Sequence, residues 1–170
     1  MIALITGGIK AGKSRRALDM VRGEWRFPVS FIATAEILDE ETRRRVEKHR
    51  EERAVLAGDG FITIEEPLEL DRAIRAAGER ALVDCLPMWV NNLMYYQREN
   101  DFDGILERFI QGMKDREGCV VVSNETGLGN VPFDEDTRRY NMLLAEANRK
   151  VAAAADRVEL VVCGIPLRVK

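Results

Sequence analysis

The stretch Gly7-Gly8-Ile9-Lys10-Ala11-Gly12-Lys13-Ser14 follows a short apolar run, Met1 to Ile5, and precedes a run compatible with a helix, Arg15 to Arg22. It satisfies G-x-x-x-x-G-K-S, and a strand before it with a helix after it is the setting in which that pattern cradles phosphates. The glycines let the backbone curl so that several N–H groups face one anion, and the helix starting there adds the positive end of its dipole. Lys13 is expected to contact the β- and γ-phosphates of a nucleoside triphosphate, and the Ser14 hydroxyl to be a ligand of Mg2+. Lys10 adds positive charge to the loop.

The rest of the chain must supply a fold that can carry such a loop. Apolar runs of four to six residues alternate with longer segments of helical period, the pattern of strands joined by crossover helices, so the expected class is α/β. Strands are expected near Ala3–Thr6, Val29–Ala33, Phe61–Ile64, Ala81–Asp84, Cys119–Ser123 and Val158–Cys163, with a short last one at Leu167–Val169. Continuous apolar runs such as Cys119-Val120-Val121-Val122 suit a mostly parallel sheet covered on both faces. Helices are expected at Lys13–Arg22, Asp39–Ala54, Leu68–Ala77, Met88–Gln97, Asp103–Arg116 and Asp134–Ala155. Asp39, Asp103 and Asp134 can cap helix starts, and Gly23, Gly78 and Gly118 stand where a left-handed residue would end one. With 170 residues, no repeat and no Pro/Gly/Ser linker, one domain spanning 1–170 is expected.

Charge narrows the partners. The 26 basic and 29 acidic residues leave a formal net charge of -3, which offers no global attraction for nucleic acid. The first apolar run is cut by Thr6-Gly7-Gly8, too early for a signal peptide or a membrane span. Cys85, Cys119 and Cys163 are odd in number, widely spaced and flanked by apolar residues, which fits reduced core thiols in a cytoplasmic chain better than a disulfide framework.

A metal beside the triphosphate needs a second acid, expected at the end of an apolar strand next to the loop strand. Asp84, closing Ala81-Leu82-Val83, is that candidate. An Asp at a strand end is also a common turn or cap residue. Glu36, after Ala33-Thr34-Ala35, is a weaker candidate for a nucleotide contact.

The single histidine, His49, lies in the charged helical segment Thr42–Arg53. On a helix, Arg45 and Arg53 stand four residues to either side and share its face. Two cations oppose protonation of the ring, leaving a lone pair available near neutral pH, and the same cations can hold phosphate oxygens. A neutral imidazole in such a pocket can attack phosphorus and divide one transfer into two steps. The alternative is a solvated helix, since Glu41–Arg45 and Lys48–Glu52 are ordinary i,i+4 pairs.

Taken together, the residues resemble the bifunctional adenosylcobinamide kinase/adenosylcobinamide-phosphate guanylyltransferase family of cobalamin biosynthesis. The resemblance runs nearly the whole chain: the phosphate loop, Phe31-Ile32-Ala33-Thr34-Ala35, His49-Arg50-x-x-Arg53, Asp84-Cys85-Leu86 with Val90-Asn91-Asn92-Leu93, and Ser123-Asn124-Glu125-Thr126-Gly127-Leu128-Gly129-Asn130-Val131-Pro132. It closes with Ala152–Asp156 and Val161–Ile165. It implies a P-loop NTPase-like three-layer fold with one antiparallel strand, for which Leu167–Val169 is the candidate, and a homotrimer. It implies ATP or GTP as substrates, with Mg2+, held by Gly7 through Ser14, by Thr34, Ala35 and Glu36, by Arg50, Glu51, Glu52 and Arg53, and by Glu65 and Asp84. It further implies that His49 carries GMP, and that adenosylcobinamide and its phosphate are the acceptors.

The chain departs from the family pattern just after Arg53. The family usually places Pro there and a Trp soon after; here Ala54 follows, and Val55-Leu56-Ala57-Gly58-Asp59-Gly60 intervene before Phe61-Ile62-Thr63-Ile64-Glu65. Without Pro the helix is expected to run longer, with a turn at Asp59-Gly60. A P-loop kinase of another small alcohol without guanylyl transfer, and a nucleotide-responsive binding module, are the competing readings. Glu125, in the glycine-rich run after a strand, could cap the next helix, face water or affect function. Trp25 and Trp89 are expected to pack or meet another subunit rather than stack on a ligand.

Overall fold

The alternation of apolar runs with helical segments resolves, in a computed structural model, into a sheet of seven strands in the order β3-β2-β4-β5-β1-β6-β7. The structure describes the chain except Leu38, Asp39, Gly58, Asp59 and Asn130, and the side chains of Glu41, Thr42, Arg45, Lys48, His49, Glu52, Arg53, Leu56 and Ala57. The strands are β1 (Ile2–Gly7), β2 (Val29–Ala33), β3 (Phe61–Glu65), β4 (Arg80–Asp84), β5 (Gly118–Val122), β6 (Arg157–Val162) and β7 (Ile165–Arg168). The helices are α1 (Lys13–Glu24), α2 (Glu40–Ala57), α3 (Leu70–Ala76), α4 (Leu86–Tyr95), α5 (Phe102–Lys114) and α6 (Glu135–Ala154). Among the described residues, all pairings are parallel except β6 with β7.

Side chains alternate across the pleat, so each central strand feeds two cores. Ala3, Ile5, Phe31, Leu82, Val120 and Val122 meet Ala17, Leu18, Met20 and Val21 of α1 on one face. Leu4, Ile32, Val83 and Val121 meet α3 to α6 on the other. There Trp89 is fully buried, stacks on Phe102 at 5.4 Å, and donates its indole N–H to the Leu68 carbonyl. A large apolar side chain buried to this degree contributes roughly 1.5–3 kcal/mol.

Several helix ends differ from expectation. Asp134 caps α6 by accepting from the Thr137 N–H, as its position implies. Asp103 does not cap α5: the helix begins one residue earlier, and the Asp103 carboxylate pairs with Lys150 instead. Gly23 lies inside α1, and Gly118 is the first residue of β5, where its missing Cβ admits the Trp25 ring. Gly78 is not left-handed either; its N–H donates to the Ser30 hydroxyl. The left-handed stop appears at Gln97 after α4, where Arg98 N–H reaches Leu93 carbonyl and Gln97 N–H reaches Met94 carbonyl. Helix α4 starts two residues early because Pro87 suits a first turn that needs no N–H. Helix α3 starts two residues late because the Glu66 carboxylate accepts from Leu68 and Glu69 N–H. Helix α2 does run on to Ala57, as the missing Pro predicts. The expected cap Asp39 and the turn residue Asp59 lie outside the described residues.

The last two strands form a hairpin. Cys163 and Gly164 both have positive φ, 50° and 80°, the two-residue turn whose twist matches antiparallel strands. Cys163 is therefore an exposed turn residue rather than a strand residue with a core thiol, whereas Cys119 is buried and its thiol is pushed up to about 12 by desolvation.

Candidate nucleotide site

Parallel strands put their C-terminal ends on one edge of the sheet, and the loops leaving them enclose a cleft of about 800 Å3. The loop after β1 forms its floor. Gly7 has φ 152°, and an added Cβ would stand 2.4 Å from the Val161 carbonyl oxygen; Gly12 has φ 98° beside Gly164. Only glycine fits at both places. Gly164 N–H donates to the Ala11 carbonyl at 2.9 Å, so the hairpin turn braces the loop from behind. Glu125 N–H donates to the Gly7 carbonyl at 3.0 Å and braces it from the β5 side.

Lys13 is 8% exposed, and its ammonium donates to the Gly8 carbonyl at 2.6 Å. Burial pulls its pKa below the ordinary 10.5, while Cys85 and Asp84 act in the opposite sense. Ser14, Asp84 and Cys85 line the same cleft. Asp84 is not on a strand adjacent to β1, as the sequence implied: β5 lies between, with Asp84 in register with Val122 and Val122 with Ile5. Two strand spacings, roughly 10 Å, separate the acid from the loop strand, room for an ion and its water. One hydroxyl and one carboxylate suit a hard divalent cation that takes its remaining ligands from phosphate and water.

Ile9, Lys10, Ala11 and Gly12 line the cleft with Lys13, whereas Gly7 and Gly8 shape the loop from outside the lining. Ala35 and Glu36 face it; Tyr96 hydroxyl donates to Glu36 and holds it at the rim. Thr34 is fully buried, and its hydroxyl is engaged with the backbone of Cys85 rather than with the cleft. Arg50 of α2 lines the opposite wall and pairs with Glu65 at the end of β3. Glu51 is exposed and not part of the lining. The side chains of His49, Glu52 and Arg53 lie outside the described residues, although their backbone belongs to α2. Glu125 neither caps α6 nor enters the cleft: its carboxylate accepts from Gly127 N–H.

The model of the family described as cobinamide kinase / cobinamide phosphate guanyltransferase matches residues 3–169. The chain belongs to that family. A bifunctional adenosylcobalamin biosynthesis protein CobP of Pseudomonas aeruginosa is 38% identical over 171 residues, spanning 98% of this chain and 96% of the relative. The protein of the same description named CobU from Escherichia coli is 32% identical across 100% of both chains. This member of the cobinamide kinase / guanyltransferase family is thus a transferase of cobalamin biosynthesis.

Solved structures carry the fold. A KaiC-like protein from Pyrococcus horikoshii aligns with TM-score 0.52 and 18% identity over 94% of this chain and 69% of its own. The RadB recombinase aligns with TM-score 0.53 and 14% identity over 94% of this chain and 73% of its own. The fold is P-loop NTPase-like, with the mostly parallel sheet and antiparallel last strand that the sequence implied.

Sequence reasoning gave no role to Asn92, Pro67 or Tyr140 of this cobinamide kinase family member. Asn92 carried a readable signal: an amide among Leu86, Trp89, Val90 and Leu93 on an otherwise apolar stripe. Pro67 and Tyr140 line the cleft through packing that no local pattern encodes.

Proposed function

We propose that this domain phosphorylates adenosylcobinamide with ATP or GTP and then transfers GMP from GTP to the phosphate so formed. The observation that carries the reading is the convergence of the buried Lys13 ammonium, the Ser14 hydroxyl and the Asp84 carboxylate in one cleft whose far wall is α2.

In the first reaction the hydroxyl oxygen of the aminopropanol arm attacks the γ-phosphorus and gives its proton to water, and the bond to the β–γ bridging oxygen breaks, releasing the nucleoside diphosphate. The loop N–H groups and Lys13 hold the phosphates in line and neutralise the charge spreading over them. Ser14 and Asp84 would hold Mg2+, which would supply further neutralisation of phosphate charge.

In the second reaction an imidazole nitrogen of His49 attacks the α-phosphorus of GTP, a P–N bond forms and pyrophosphate leaves. A phosphate oxygen of adenosylcobinamide-phosphate then displaces the histidine, giving adenosylcobinamide-GDP. Support comes from the helix: the α2 backbone at position 49 runs between Val46 and Arg50, both of which line the cleft. Arg50, with Glu52 and Arg53, would hold the nucleotide, with Ala35, Glu36 and Glu65 on the facing strand ends. The working assembly is a homotrimer in the cytoplasm.

The test is incubation with GTP labelled at the α-phosphate, followed by mapping of the modified residue. His49→Ala should lose the adduct and keep γ-transfer to adenosylcobinamide. Persistence of the GMP-protein adduct in that variant removes His49 from the mechanism. A second reading, kinase activity alone, is favoured by the altered run after Arg53 and predicts no adduct in the wild type.

A further inference from the structure

Two segments leaving strand ends on the nucleotide edge of the sheet meet at one side chain, and a third joins them through Thr34. Asn92 is 1% exposed on α4, and its Nδ2 donates to the carbonyls of Thr34, at 2.8 Å, and Pro67, at 3.0 Å. Thr34 passes the connection on: its hydroxyl donates to the Cys85 carbonyl at 2.7 Å and accepts from the Cys85 N–H at 2.9 Å. Its own N–H donates to the Asp84 carbonyl at 3.2 Å. The segments so joined leave β2, β3 and β4 and bring Glu36, Glu66 and Asp84 to the cleft.

An amide is the side chain this junction calls for. It offers two donors without a charge, enough for two carbonyls on separate segments. An aliphatic residue would fit the apolar α4 stripe but would take the donor from the buried Thr34 carbonyl, at a cost of about 1–3 kcal/mol, and from the half-buried Pro67 carbonyl. We propose that Asn92 is a positioning residue of the transfer site. It spaces the β2 and β3 ends and, through Thr34, sets Asp84 relative to Lys13 and Ser14. The proposal rests on the enzymatic reading given above. Asn92 stands behind the cleft lining; it acts by fixing where the Asp84 carboxylate stands, and a displacement of about 1 Å at such a site can lower a rate by about a hundredfold.

The experiment compares Asn92→Asp and Asn92→Ala with Ile105→Ala, a deletion at a buried α5 core position outside the cleft lining. All are measured at a temperature where circular dichroism shows them folded. Mn2+ binding in the presence of a non-hydrolysable GTP analogue is read by electron paramagnetic resonance, affinity for a fluorescent GTP analogue without metal is read separately, and kcat and KM are measured for γ-transfer. The Asn92 variants should weaken Mn2+ binding and lower kcat by about tenfold or more, with metal-free affinity changed much less. Ile105→Ala should lower Tm and leave both readouts within about twofold. Asn92 variants that lose stability yet keep Mn2+ affinity and kcat within that range make Asn92 a packing amide and overturn the proposal. Should the Asp and Ala variants fail to fold, Asn92→Ser, which keeps one donor, decides by the same readouts. A wild type that binds no GTP analogue would sink the enzymatic reading and the proposal together, whereas normal wild-type binding with unaffected Asn92 variants overturns the proposal alone.

Discussion

The ammonium of Lys13 is hydrogen-bonded, at 2.6 Å, to the carbonyl of Gly8 five residues before it, across the mouth of the loop that both residues build. A triphosphate must take over that ammonium. Burial lowers the Lys13 pKa from 10.5, and the charged form is the one that binds phosphate. Affinity for a fluorescent nucleotide analogue should therefore fall as pH rises toward the alkaline range, beginning below 10.5. Lys13→Ala should weaken binding at neutral pH by about two orders of magnitude, the scale of a lost charge-assisted contact of roughly 3 kcal/mol, and should abolish this pH dependence.

Gly7 and Gly8 are adjacent in sequence and opposite in tolerance. A Cβ at Gly7 meets the Val161 backbone at 2.4 Å, whereas one at Gly8 meets nothing within 4 Å. Gly7→Ala should destabilise by about 2 kcal/mol or more, because backbone strain and overpacking combine. Gly8→Ala should stay within about 0.5 kcal/mol of wild-type stability. Urea midpoints of the two variants give the comparison.

Behind the loop, Glu159 on β6 is 2% exposed and is gripped by Arg16 of α1, at 2.7 and 2.9 Å, and by Arg157. The Arg16 hydrogen bonds hold its carboxyl below the ordinary 4.5, against desolvation that raises it, with Arg157 adding to the lowering. A depressed carboxyl stabilises the fold above its unfolded pKa and loses that contribution as pH falls through the folded value. Acid unfolding of wild type should thus show a component below pH 4.5 that Glu159→Gln lacks. At neutral pH that variant should be less stable by roughly 3 kcal/mol, the scale for breaking a buried pair.

Arg50 and Glu65 are each about half exposed, 48% and 63% in their side chains. An ion pair so open to water is worth about 0–1 kcal/mol. Arg50→Ala should therefore move Tm by no more than about 3 °C while weakening GTP-analogue affinity about tenfold, with a shallower salt dependence than wild type. Equal affinities at low salt would separate Arg50 from nucleotide binding.

The phosphate loop was legible because its chemistry is local: eight contiguous residues specify glycine dihedrals, a helix start and a cation. Strand positions were legible for a similar reason, since Cys119 to Val122 can only be covered on both faces. What local pattern could not supply was strand order. Asp84 was read as lying beside the loop strand, and β5, more than thirty residues later, lies between them. Thr34 shows the same limit in miniature. Its neighbours Ala35 and Glu36 face the cleft, but its own hydroxyl is claimed by Cys85, fifty-one residues away. The helix ends at Gly23, Gly78 and Gly118 were misread because glycine has more than one use. One lies within a helix, one meets a serine, and one makes room for Trp25.

The hairpin turn that donates from Gly164 to Ala11, with the Glu125 contact on the other flank, means that the phosphate loop is moulded by its neighbours before any anion arrives. Its shape is settled during folding, so binding bears less of the entropy of ordering those residues, and the loop amides meet the phosphate already aimed.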